Sequence, residues 1–66
     1  MRVTVNGQSR TVGAEATVAD LVGELGFDRR RVAVERNRLL VRRAQFDQTA
    51  LAEGDVLEIV TLVGGG

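Results

Sequence analysis

Leu57-Glu58-Ile59-Val60-Thr61-Leu62-Val63-Gly64-Gly65-Gly66 decides how the rest of the chain is read. The stretch starts as a strand, because Leu57, Ile59, Val60, Leu62 and Val63 are β-formers. It finishes as bare backbone. Glycine loses more conformational entropy on ordering than any other residue, so three in succession add nothing to a packed fold. Read as the end of the chain, Gly64, Gly65 and Gly66 form a thin flexible tail whose last carboxylate can enter a cleft too narrow for side chains. The expected division is a folded domain over residues 1–62 and a tail over residues 63–66.

Upstream of that strand the periodicities are short and alternating. Met1, Val3 and Val5 alternate with Arg2 and Thr4, the period of a strand. Asn6-Gly7 follows, the pair favoured in a two-residue hairpin loop because both positions must accept positive φ. Residues 8–12 form the return strand, and residues 13–16 a loop. Thr17-Val18-Ala19-Asp20 has the form of a capping box. Val18, Leu21, Val22 and Leu25 then fall at i, i+3, i+4 and i+7, which predicts a helix of about two turns with one apolar stripe. Gly26 is placed to cap it in the left-handed conformation. Gly23 weakens the helix interior and is expected to allow a close backbone approach. Residues 32–36 predict a third strand, Asn37-Arg38 a turn and residues 39–41 a fourth strand. A helical turn near residue 43 is expected to drop Phe46 onto the core, with Leu51 as a further anchor. Gly54 marks the turn into the last strand.

The order is a hairpin, a helix, a second hairpin, an irregular piece and a final strand. That is the β-grasp arrangement, an α+β fold with a mixed sheet of four to five strands and one main helix on one face. The first and last strands are expected to pair in parallel at the sheet centre, since the chain between them is long enough for a crossover. In the last strand, Leu57 and Ile59 are expected to face the helix. Val56, Glu58, Val60 and Leu62 then face outward. An apolar outer patch of Val60, Leu62 and Val63 beside the tail is a candidate partner surface.

Composition narrows the function. The 66 residues form one domain, which buries only roughly 60% of its unfolded surface. There is no cysteine or histidine, so disulfides, thiolate nucleophiles and ordinary zinc sites are excluded, along with the commonest general base. Phe27 and Phe46 are the only aromatics, and both are expected in the core. No apolar run is long enough to cross a membrane and no signal peptide is legible, so a cytoplasmic protein without membrane contact is expected. Nine arginines balance nine acids, and seven of those arginines lie within residues 29–43. Such a cluster can be a solvated face or can attract nucleic acid or an acidic partner. Stacking aromatics are scarce around it, so nucleic acid is not expected. Asp20 and Glu24 stand four apart on the helix, but capping and solvation account for them without a metal. Glu53 and Asp55 flank a turn glycine and read as turn residues. No catalytic or metal-binding residue is assigned, and no enzyme is expected.

Three blocks together resemble a known family: Val32-Ala33-Val34-Glu35-Arg36-Asn37, Gly54-Asp55-Val56-Leu57-Glu58-Ile59-Val60, and Val63-Gly64-Gly65-Gly66. The sequence is similar to the ThiS sulfur carriers of thiamine biosynthesis, ubiquitin-like proteins, over essentially its whole length. Family members often have a proline just after the fourth strand, where this chain has Arg42-Arg43. The resemblance implies that a ThiF-type enzyme uses ATP to adenylate the carboxylate of Gly66. Sulfur from a donor such as a cysteine desulfurase then makes a thiocarboxylate, which serves thiazole synthase, ThiG. It implies no cofactor bound to the carrier. Two alternatives remain at this point: a MoaD-like sulfur carrier of molybdopterin synthesis, and a ubiquitin-like modifier or binding module recognised through its sheet. A linker scar would also account for the glycines, but the strand leads directly into them.

Overall fold

Two asparagine-led turns set the frame. Asn6 and Gly7 adopt φ of 50° and 82°, and Asn37 and Arg38 adopt 52° and 73°. Each pair forms a two-residue loop of the kind whose twist matches that of the flanking strands. The first loop joins β1 (Arg2–Val5) to β2 (Gln8–Thr11). The second joins β3 (Val32–Arg36) to β4 (Leu39–Val41). The computed structural model describes residues 1–62, and the last strand, β5 (Val56–Thr61), lies between the two hairpins. The sheet order is β2-β1-β5-β3-β4, with β1 and β5 parallel and the other neighbours antiparallel. This is the expected β-grasp arrangement, with five strands.

One helix, α1 (Val18–Glu24), crosses one face. Its start is the predicted capping box: Thr17 Oγ1 accepts the Asp20 N–H, and Asp20 Oδ2 accepts the Thr17 N–H. Two orphan N–H groups of the first turn are thereby satisfied. Gly26 takes φ of 80° just past the helix end, as a left-handed cap requires. The expectation for Gly23 fails. A Cβ built there meets no atom within 4 Å, so no close approach demands glycine at this position.

Val18, Leu21 and Val22 of α1 pack against Val3, Val5, Val32, Val34, Leu57 and Ile59 of the sheet. Phe46 closes the side of this core from a 3-10 turn at Arg43–Gln48, and Arg29 lies over its ring at 5.5 Å. Burying Leu57 and Phe46 this fully contributes about 1.5–3 kcal/mol each. Phe27 departs from expectation. It is only half-buried, resting on the edge of the core beyond the helix end. Val12 is buried but continues past β2 as loop, its N–H donating to the Met1 carbonyl. A bridge between Thr17 and Ala50 ties the helix start to the irregular stretch before β5, with Leu51 buried as the anchor.

Candidate functional site

The site is built from β5, and the two faces of that strand have different jobs. Leu57 and Ile59 are buried against α1, while Val56, Glu58 and Val60 point to the opposite, uncovered face of the sheet. With a single helix on one face, the other stays open to solvent. Val60 is 57% exposed and Leu62 52% exposed, both large apolar side chains at the end of the strand. Val60 stands opposite Ala33 of β3, and the Leu62 N–H donates to the Arg31 carbonyl at 2.7 Å. The predicted outward alternation is observed for Val56, Glu58 and Val60, while Leu62 is exposed just past the end of the strand. Beside the apolar end, Glu58 and Glu35 are direct cross-strand partners. Like charges in that position weaken a sheet, so sheet stability does not explain this pair.

The start of β5 is fastened by a polar knot. Asp55 is only 6% exposed. Its carboxylate accepts hydrogen bonds from the Ala52 N–H at 2.8 Å, Asn37 Nδ2 at 3.0 Å and Arg36 at 3.2 Å. Burial pushes the Asp55 carboxyl up. The Ala52 N–H, the Asn37 amide and the Arg36 guanidinium outweigh it and hold the group below the ordinary aspartate value of 3.8. Asn37 completes the knot: its Oδ1 accepts the Val56 N–H, and its own N–H donates to the Val56 carbonyl.

A second asparagine supports the strand from the other side. The paired residues of β1 and β5 are Thr4 with Val56 and Val5 with Leu57. There β1 turns away, and the Asn6 side chain extends the ladder. Its Oδ1 accepts the Ile59 N–H at 2.8 Å, and its Nδ2 donates to the Ile59 carbonyl at 3.1 Å. Asn6 and Asp55 were legible only as turn residues. The Asn6 side chain reaches a partner 53 residues away, and Asp55 adds to its local bond from Ala52 two side-chain partners 18 and 19 residues away, beyond the reach of local pattern.

Val60 and Leu62 of the candidate patch thus lie together at the end of β5. Val63, the third member, and Gly64, Gly65 and Gly66 of the tail lie outside the described residues. Asp20 serves as the helix cap and Glu24 is exposed. Among the described residues, no group of three or more histidine, cysteine, aspartate or glutamate side chains is arranged to hold a metal. Among the same residues, no helix is long and apolar enough to cross a membrane.

Comparison with known proteins decides the family. The ThiS family profile matches residues 3–66. The chain belongs to the ThiS family. A ThiS crystal structure from Geobacter metallireducens, described as a thiamine biosynthesis protein, superposes with a TM-score of 0.83 at 39% identity, with both chains fully covered. The sulfur carrier protein ThiS of Bacillus subtilis is 36% identical over 50 residues, 76% of each chain. A thiazole synthase of Paramagnetospirillum magneticum is 48% identical over all 66 residues, and this chain spans 20% of its length. A thiazole synthase of Magnetococcus marinus shows the same share at 38% identity. The ThiS family match spans the residues of β5 and runs through Val63-Gly64-Gly65-Gly66.

Proposed function

We propose that this protein is a sulfur carrier for thiazole formation in thiamine biosynthesis, loaded at the carboxylate of Gly66. The observation that supports the reading is the ThiS family match over residues 3–66, a range that includes the glycine stretch. A carboxylate is a poor electrophile until it holds a good leaving group. A ThiF-type enzyme supplies one by transferring AMP from ATP to Gly66 and releasing pyrophosphate. The terminal sulfur of a donor persulfide, such as that of a cysteine desulfurase, then displaces AMP to give an acyl disulfide. A second thiol attacks the donor-side sulfur, forming a disulfide there and releasing the thiocarboxylate. The acceptor is thiazole synthase. Its support is that two thiazole synthases each contain a stretch similar to this whole chain. The carrier acts as a co-substrate and supplies the surface and the tail, while the enzymes supply ATP chemistry and sulfur.

In this reading Val60 and Leu62 dock the carrier on its activating enzyme, and Gly64 and Gly65 keep the tail thin enough to reach the adenylation site. The test removes Gly66 and measures ATP–pyrophosphate exchange with the cognate activating enzyme. Exchange is expected to vanish while the melting temperature stays unchanged. Undiminished exchange by the shortened chain would overturn the proposal.

A further inference from the structure

The arginine cluster resolves into two groups. Arg29 pairs with Asp47, Arg30 and Arg31 with Asp28, and Arg36 with Asp55. Among the described residues, Arg38, Arg42 and Arg43 have no carboxylate partner. These three bracket β4, the strand at one edge of the sheet. Leu39 and Leu40 of β4 are 74% and 68% exposed, the highest values among the large apolar side chains of the described residues. They stand on opposite faces of the strand, so no single neighbouring element covers both. The backbone is open as well. The Asn37-Arg38 loop is closed by the Arg36–Leu39 pair, which in such a hairpin exchanges both hydrogen bonds. The Leu40 N–H and C=O therefore point away from β3 toward the free edge. Beside them runs an open groove of about 310 Å³, floored by Val41 and Phe46 and flanked by Leu62, Arg42 and Arg43.

We propose that the β4 edge is a second docking surface, adjoining the outer end of β5 at Leu62 but centred on Leu40, and that it takes an extended acidic–apolar segment of another protein. Strand addition uses the Leu40 backbone groups, with apolar side chains of the segment against Leu39 and Leu40. Carboxylates two residues to either side of its centre meet Arg38 and Arg42. Charge selects this occupant over the others. A second copy paired antiparallel about Leu40 would set Arg38 against Arg42, and like charges directly opposite are destabilising. Nucleic acid would pair with the arginines but leave the two exposed leucines in water, and aromatic stacking platforms are missing beside them. The surface needs no sulfur chemistry, so it stands or falls apart from the carrier reading.

The experiment titrates the isotope-labelled full chain with a capped pentapeptide, Glu-Val-Leu-Val-Glu, and follows backbone amide signals. Shifts confined to residues 38–43 and the groove are expected. Arg42→Glu, an exposed change, is expected to weaken binding about tenfold while the spectrum of the free protein stays native. Four results would overturn the proposal: equal binding of the lysine counterpart, tighter binding of oligouridylate, shifts centred on Val60, or no binding of the glutamate peptide. A concentration-dependent dimer that Leu40→Ser dissolves would assign the edge to a second copy and overturn it as well.

Discussion

The two ends of β5 are built on opposite principles. At its start, Asp55 is buried among Ala52, Asn37 and Arg36, and Asn37 grips Val56 through both side chain and backbone. At its finish, Val60 and Leu62 stand exposed. Asn6 provides the last support from the β1 side, at Ile59. One end spends charged and amide groups on holding the strand still. The other leaves apolar side chains in water, which gains nothing for folding but suits a surface that another protein covers. A central strand can thus be locked by polar groups at its root and still present apolar side chains to solvent at its tip.

The largest expected effect comes from opening the fixed end. Asp55→Ala strands the Ala52 N–H and the Asn37 amide and leaves Arg36 without its carboxylate, holding only the Ala50 carbonyl, at a cost of about 2–4 kcal/mol. Urea or thermal unfolding measures it, and a loss below about 1 kcal/mol would mean that the knot does not hold β5. The same group predicts a pH effect. Because its folded pKa is depressed, Asp55 contributes stability above the unfolded value of 3.8. That contribution is lost as pH falls through the folded value. The acid limb of the stability curve is therefore expected to flatten in Asp55→Asn.

Next in size are the asparagines. Asn6→Ala removes both bonds to Ile59 and places alanine at positive φ, and Asn37→Ala does the same to Val56 and Asp55. Each is expected to cost about 1–2 kcal/mol by thermal unfolding. Hydrogen exchange sharpens the comparison. Asn6→Ala is expected to speed exchange at Ile59 more than at Val56, and Asn37→Ala the reverse. Uniform acceleration by both would erase the distinction between the two ends. Smaller still, Gly23→Ala lies in α1, away from both. With open space at its Cβ, it is expected to raise stability by about 0.5–1 kcal/mol. A lower melting temperature would show that the helix needs glycine there.

Much of this was legible locally. The capping box at Thr17, the Asn6-Gly7 hairpin, Gly26 past the helix and the alternation of β5 each depend on neighbours in sequence, and each is found as read. The parallel pairing of β1 and β5 followed from a crossover long enough to permit it. What escaped is long-range. An aspartate beside a turn glycine reads as a turn residue until Arg36 and Asn37 are folded against it. Asn6 had already been given a role by its φ, which hid the second role of its amide. As one of two aromatics Phe27 reads as core, yet the helix end leaves it half-covered. The exposure of Leu39 and Leu40 follows from the place of β4 at the edge, and a three-residue apolar run does not announce which strand is outermost.

On the proposed reading, the exposed tip of β5 serves recognition and not folding. ATP–pyrophosphate exchange of Val60→Asp with the cognate activating enzyme tests it most directly. As a surface substitution, it is expected to move stability by no more than about 0.5 kcal/mol, while a charge in the proposed docking patch is expected to slow exchange severely. Slow exchange by a fully folded variant is the result predicted. Parent-like exchange, or slow exchange explained by a collapsed melting transition, would contradict the claim.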